Sequence, residues 1–303
     1  MRFFTKILLI FLALTAGNSV TAQETRDDNV TESDRLKITA IEMLISAPAE
    51  RALPLVARVL SANHSDAVKS RALIILSQIE LPEAQTLLLE TATNGSPELK
   101  LHAIRMIGVG GDTNTLAGLT EIYKNGDRDV RDSVLRAYLI ADDPGAVYAV
   151  AVNATSEEEF EAAVRVLGAM GATNELRQLG DRGMTSESLI HAYAIAEDLE
   201  ALNKLALDAS NPATQIQAIQ GLGIIGGDEA NASLMEIYRS AGRDEISRAA
   251  LHGMLVAGHE EGVLELFRAS QDATEKRELL QLLVIMDSDA ALDIISATLE
   301  SDP

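Results

Sequence analysis

The chain repeats itself about every thirty residues, and this periodicity constrains its fold more than any other feature. The segment AGLTEIYKNGDRD that starts at Ala117 returns as ASLMEIYRSAGRD at Ala232, 115 residues later. Both copies carry Glu-Ile-Tyr and a basic residue, followed by Gly, Arg and Asp around a turn. Weaker echoes fill the interval. Such self-similarity marks an array of like units rather than one irregular core.

One apolar or aromatic anchor per unit sets the register: Leu44, Leu76, Ile107, Tyr138, Leu167, Tyr193, Leu222, Met254 and Leu283. Around each lies an apolar residue three positions earlier, often a small residue directly after, and then a polar or glycine turn. Leu222-Gly223-Ile224-Ile225-Gly226-Gly227-Asp228 is the clearest copy, and Ile107-Gly108-Val109-Gly110-Gly111-Asp112 is one residue shorter. Inside a unit the apolar residues follow the helical period, as in Leu101, Ala103, Ile104 and Ile107, then Leu116, Leu119, Ile122 and Tyr123. Each unit therefore reads as two helices of roughly 12–14 residues joined by a short turn. Ser96-Pro97 and Asn211-Pro212 place a capping residue before a proline at the first helical position. Ser156 with Glu157, Glu158 and Glu159 offers a capping box and favourable charge at a helix start. Gly108, Gly168 and Gly223, each just after an anchor, would let neighbouring helices approach closely.

The LGIIGGDEA and IGVGGDTN turns, flanked by apolar helices, resemble HEAT repeats, especially the short variety first described in phycobilisome lyases. The resemblance covers about residues 33 to 303. It implies an all-α fold, a right-handed α-solenoid of about nine helical hairpins, with first helices on the convex side and second helices lining a concave groove. It implies no activity, because such repeats serve scaffolds, lyase subunits and envelope proteins alike. The turns at Tyr138–Asp143 and Tyr193–Asp198 depart from the Gly-Asp pattern.

Residues 1–22 read as a secretory signal peptide, with Arg2 and Lys6 before an apolar run from Ile7 to Ala16, and Val20-Thr21-Ala22 as the cleavage site. An apolar run this short does not span ~30 Å of hydrocarbon. Residues 23–34 read as a disordered acidic spacer and residues 35–303 as the solenoid. The chain has no cysteine, so disulfides and a lipid-modified cysteine are excluded. Export by such a signal points to a bacterial periplasm, with secretion as the alternative.

The formal net charge is −21, and loss of residues 1–22 leaves 23 basic against 46 acidic side chains. That balance argues against nucleic acid, which demands a cationic stripe, and against an anionic lipid surface. Solubility and electrostatic steering of a cationic protein partner both account for it.

Catalytic chemistry finds little support. His191 and His252 occupy equivalent places two units apart, roughly 20 Å at about one helix diameter per unit, too far to share a metal ion. His252 and His259 with Glu260 and Glu261 form at most a labile surface site, so solvated or helix-end histidines are expected. The carboxylates at Asp142-Asp143, Glu157–Glu159, Glu197-Asp198 with Glu200, and Glu260-Glu261 fall at turns or helix starts, where capping explains them. No Gly-x-Ser-x-Gly elbow occurs, and the glycine runs lack a Gly-Lys-Ser/Thr ending. No cofactor is expected. The most suggestive side chains are Glu121, Tyr123 and Lys124, with their counterparts Glu236, Tyr238 and Arg239. Each tyrosine is either a half-buried packing residue beside a surface ion pair or an exposed anchor for a partner in the groove. The expected function is a non-catalytic periplasmic protein-interaction scaffold. The alternative is a lyase-like or enzyme-accessory protein holding a small ligand in the groove.

Overall fold

Apolar residues spaced at the helical period, punctuated by caps and turns, build helices throughout the described chain. The computed structural model describes residues 31–241 and 245–300. Among the described residues there are eighteen α-helices and no strand. The helices alternate as first and second members of nine hairpins. The first four are α1 (Glu32–Glu42) with α2 (Ala49–Ser61), α3 (Asp66–Leu76) with α4 (Pro82–Asn94), α5 (Pro97–Gly110) with α6 (Thr113–Asn125), and α7 (Arg128–Ala141) with α8 (Pro144–Val152). Then follow α9 (Glu157–Ala169) with α10 (Thr173–Asp181), and α11 (Glu187–Ile195) with α12 (Leu199–Ala206). The last three are α13 (Pro212–Ile225) with α14 (Gly227–Ser240), α15 (Glu245–Val256) with α16 (Glu260–Ala269), and α17 (Ala273–Ile285) with α18 (Asp289–Glu300). This is an all-α array of HEAT-like hairpins. Contacts gather the chain into two compact units, one ending at Ala137 and the other starting at Tyr138.

The expected signal peptide lies outside the described residues, as does most of the acidic spacer. The spacer's last residues are helical. Thr31 caps α1 by accepting a hydrogen bond from the Asp34 N–H at 3.1 Å, so the helix begins at Glu32, ahead of the expected boundary.

The anchors form the core. Leu76, Ile107, Tyr138, Leu167, Tyr193, Leu222, Met254 and Leu283 are all buried. Leu44 is not: it sits half-buried in a short 3₁₀ turn, Met43–Ser46, that follows α1. Among the described residues no helix precedes α1 to cover that position. In the first unit α3 packs against α1 and α5, and α4 against α6. In the second unit α9, α11, α13 and α15 pack side by side in that order.

Small residues next to the anchors set how closely the first helices approach. A Cβ added at Gly108 would lie 2.7 Å from the Ala137 Cα. The same construction places a Cβ at Gly168 3.1 Å from the Ala192 Cα, and one at Gly223 2.7 Å from the Gly253 Cα. In all three pairs the residue after one anchor meets the residue before the next.

Five of the six hairpin turns that follow the anchors of the second unit share one geometry, set by backbone rather than by residue type. After Leu222, by contrast, the Gly226 N–H reaches the Leu222 carbonyl itself at 3.0 Å. Four residues after each anchor stands a left-handed residue: Asp142, Gly171, Glu197, Gly226, Gly258 and Asp287, with φ between 55° and 66°. In the first, the N–H of Asp142 reaches the Leu139 carbonyl at 3.2 Å and the N–H of Asp143 reaches the Tyr138 carbonyl at 3.0 Å. The same two bonds recur after Leu167, Tyr193, Met254 and Leu283. They form the paired C-terminal cap that satisfies two otherwise orphaned carbonyls. The turns at Tyr138–Asp143 and Tyr193–Asp198, which lack the Gly-Asp pattern, are therefore full members of the series. In the first unit Gly108 and Gly110 lie within α5, and Gly111 ends it with φ −70°.

The expected caps are present. Ser96 accepts from the Leu99 N–H and Asn211 from the Thr214 N–H. Ser156 accepts from the Glu159 N–H, but the Glu159 carboxylate reaches back to the N–H and hydroxyl of Thr155, one residue beyond a standard capping box.

The turn geometry is testable. A Cβ at Gly171 would meet nothing within 4 Å, so Gly171→Ala adds the left-handed backbone penalty of about 1–2 kcal/mol. Lost unfolded-state freedom of about 0.5–1 kcal/mol offsets this in part, and the variant is expected to lower stability by about 1 kcal/mol. Glu197→Gly reverses both terms and is expected to raise stability by up to about 1 kcal/mol. Thermal unfolding of both variants checks this, and an unaltered midpoint for Gly171→Ala would contradict the assignment.

Candidate partner-binding surface

The two Glu-Ile-Tyr segments lie in α6 and α14, both second helices, and helical periodicity decides which of their side chains face outward. Tyr123 continues the Leu116–Leu119 apolar stripe and is buried, with 8% of its surface exposed. The Arg131 guanidinium lies 5.7 Å from its ring centroid, and the Arg131 Nε donates to the Tyr123 carbonyl at 3.3 Å. Tyr238 is half-buried, and its hydroxyl donates to Glu275 Oε1 at 2.7 Å. The other Glu275 oxygen accepts from the Ser270 hydroxyl at 2.5 Å. The tyrosines are thus packing and bridging residues, not exposed anchors. Their charged neighbours are exposed: Glu121 pairs with Lys124 at 2.6 Å, Arg239 pairs with Glu265 at 2.5 Å, and Glu236 points outward.

Glu121 nevertheless rims a hollow. It has a volume of about 550 Å³ and lies between α4 and α6, with Leu89, Ile122 and Val130 as apolar wall and Lys100, Glu121 and Asp127 as polar rim. Leu89 and Ile122 come from the apolar stripes of α4 and α6 and Val130 from the first turn of α7, while Lys100 stands in α5, Glu121 in α6 and Asp127 in the turn between α6 and α7.

The second unit holds a feature that spacing alone does not reveal. Asp198 is buried, caps α12 by accepting from the Ala201 N–H at 3.1 Å, and takes both prongs of the Arg177 guanidinium at 2.7 and 2.5 Å. Arg177 also reaches Glu200 at 2.6 Å. Hydrogen bonding to Asp198 raises the arginine's pKa further above its ordinary value. Tyr193 donates to the Leu176 carbonyl at 3.0 Å, and burial, reinforced by the Asp198 and Asp181 carboxylates, pushes its pKa up to about 12. A hollow of about 390 Å³ opens beside this network, lined by Arg177, Asp181, Tyr193, Glu200 and Lys204 among others. Lys204 pairs with Asp181 at 3.5 Å. Arg177 and Lys204 each have a carboxylate partner, and the Arg177–Asp198 pair ties α10 to the start of α12. Sequence reading explained Asp198 as a helix cap. It had no signal for Arg177, which lies one repeat earlier and 21 positions away.

His102 departs from the expectation of solvated or helix-end histidines. It is partly buried in α5 with Nε2 unpartnered among the described residues, and burial, then Arg105 and Arg71, lowers its pKa and favours the neutral ring. Among the described residues no group of three His, Asp or Glu side chains is placed to hold a metal ion. None of the described helices is long and apolar enough to cross a membrane.

The fold and surfaces together define a class: an all-α protein of stacked HEAT-like hairpins with hollows between successive second helices. No family model matches the chain, and no curated protein matches it. Among solved structures it is similar to human deoxyhypusine hydroxylase in complex with glycerol, with 19% identity, 86% of this chain and 93% of that chain covered, and a TM-score of 0.36. It is also similar to the complex of CpcE and CpcF of phycocyanin lyase from Nostoc sp. PCC7120, with 18% identity, coverage of 80% and 92%, and a TM-score of 0.32. Neither likeness is close enough to carry a function.

Proposed function

We infer that this protein is a non-catalytic interaction scaffold of the bacterial periplasm, holding a protein partner against its second helices. The observation that carries the reading is the hollow between α4 and α6. Its apolar wall of Leu89, Ile122 and Val130 inside a rim of Lys100, Glu121 and Asp127 has the make-up of a protein interface, apolar at the centre and polar at the edge. The repeats support it, since hairpins stacked within a unit expose a face made from neighbouring second helices, as α4 and α6 are. Residues 1–22 support the location, and a chain of net charge −21 favours a cationic partner.

The test is in-cell crosslinking with a photoreactive residue in place of the exposed Glu121, followed by mass spectrometry. One dominant protein adduct is expected, and it should vanish when Ile122→Asp spoils the apolar wall. A folded protein that gives no adduct at this position would sink the reading. N-terminal sequencing of the purified protein checks the export step, with Gln23 as the expected first residue.

A further inference from the structure

The opposite members of the hairpins carry a pattern in fixed register with the anchors. Two residues before the last seven anchors stand Arg105, Arg136, Arg165, His191, Gln220, His252 and Gln281, and every one is exposed, whereas Glu42 and Ile74 hold this place before Leu44 and Leu76. The chain holds 46 acidic against 25 basic residues, yet this row has no carboxylate and each member can donate an N–H. Two residues after the anchors of the second unit's last four repeats stand Ile195, Ile224, Val256 and Ile285, with exposures of 45%, 54%, 53% and 67%. The two positions are four residues apart on one helix, so they share a face. In the second unit the donor row and the apolar row therefore run side by side across the packed helices α11, α13 and α15, and the donor row continues onto α9 at Arg165. Arg165, His191, Gln220 and Ile224 line a single hollow of about 400 Å³ there. The one ion pair of the row in this hollow is loose, Arg165 to Glu161 at 4.0 Å. Exposed β-branched side chains in a continuous line mark an interaction surface rather than scattered surface residues.

The rows define their occupant. Packed helices lie about 8–10 Å apart, which matches three residues of polyproline II at about 3.1 Å each. That conformation returns every third side chain to the same face and leaves its carbonyls without internal partners. A donor row supplies those partners, and the apolar row receives the side chains. The rows are flanked by carboxylates, with Glu161 and Glu187 one helical turn before the donors and Glu197 and Asp228 beyond the apolar row. Acidic side chains in the occupant are repelled and basic ones favoured. We propose that the first-helix face of the second unit docks an extended polypeptide segment with an apolar residue at every third position and Lys or Arg between. This surface is distinct from the second-helix hollow of the first unit, and neither depends on the other.

The full chain should bind a fluorescent peptide made of Leu-Pro-Lys repeated four times. Binding should weaken by about tenfold or more in the variant Ile195→Glu with Ile224→Glu, both at exposed sites, with thermal unfolding unchanged. Leu-Pro-Glu and Ser-Pro-Lys repeats should bind at least about tenfold more weakly than the probe. Glu121→Ala, in the other unit, should leave binding unaltered, so the outcome separates this surface from the crosslinking site. No binding of the Leu-Pro-Lys peptide, equal binding by the double variant, or equal binding of the Leu-Pro-Glu peptide would overturn the proposal. Self-association abolished by Ile195→Glu would overturn it too, and would identify a second copy as the occupant.

Discussion

Replacing Arg177 with Leu is expected to lower the unfolding free energy by about 3 kcal/mol and the thermal midpoint of the second unit by roughly 6 °C. The Asp198 side chain has no exposed surface, and both its oxygens bind the arginine fork. Without Arg177 a buried carboxylate keeps only the Ala201 N–H, and an uncompensated buried charge is the costly half of a broken pair. The arginine itself is 39% exposed, which places the cost at the lower end of the range for buried pairs. Arg177→Lys should lose less, because it keeps the charge but not the two-pronged geometry. The double variant Arg177→Leu with Asp198→Asn should recover most of the loss, since Asn still caps α12 and carries no charge. A single Arg177→Leu variant that unfolds like the parent would show that the pair contributes nothing.

Gly223→Val is expected to destabilise the second unit by about 3 kcal/mol. Its first added atom would lie 2.7 Å from the Gly253 Cα and 2.8 Å from the Gly253 carbonyl oxygen, so relief requires α13 and α15 to move apart. The control is Gly253→Ala. The closest atom to its Cβ is the tip of the Leu234 side chain at 2.8 Å, which can rotate, and alanine's helix preference of about 1 kcal/mol offsets the crowding. Urea denaturation should show a large drop in midpoint for the first variant and little change for the second. If both behave alike, close backbone approach does not govern the spacing of the first helices.

The repeat period and anchors were legible because burial recurs at one place per unit. Leu76 through Leu283 sit in the core as the spacing predicts, and nine hairpins follow from it. The burial of Tyr123 was legible too, since it extends the stripe of Leu116 and Leu119, although its likeness to Tyr238 drew attention to the surface instead. The left-handed turns at Asp142 and Glu197 were not legible. Neither residue type signals a positive φ, and the conformation is imposed by carbonyls of the preceding helix. The Arg177–Asp198 pair was hidden for a different reason, since it joins neighbouring repeats and has no local spacing. The two rows on the first helices emerge only when exposure is aligned to the anchors.

The constancy of the hairpin turns has a practical corollary. Across the second unit the anchor and the left-handed residue stay four positions apart, while the second helices range from 8 to 14 residues. Variation in repeat length is thus absorbed beyond the hairpin turn, in the second helix and the link that follows it. An epitope or fluorescent domain grafted into residues 207–211, between α12 and α13, would enter where the lattice already tolerates slack, and would leave the phase of the first helices unshifted on either side.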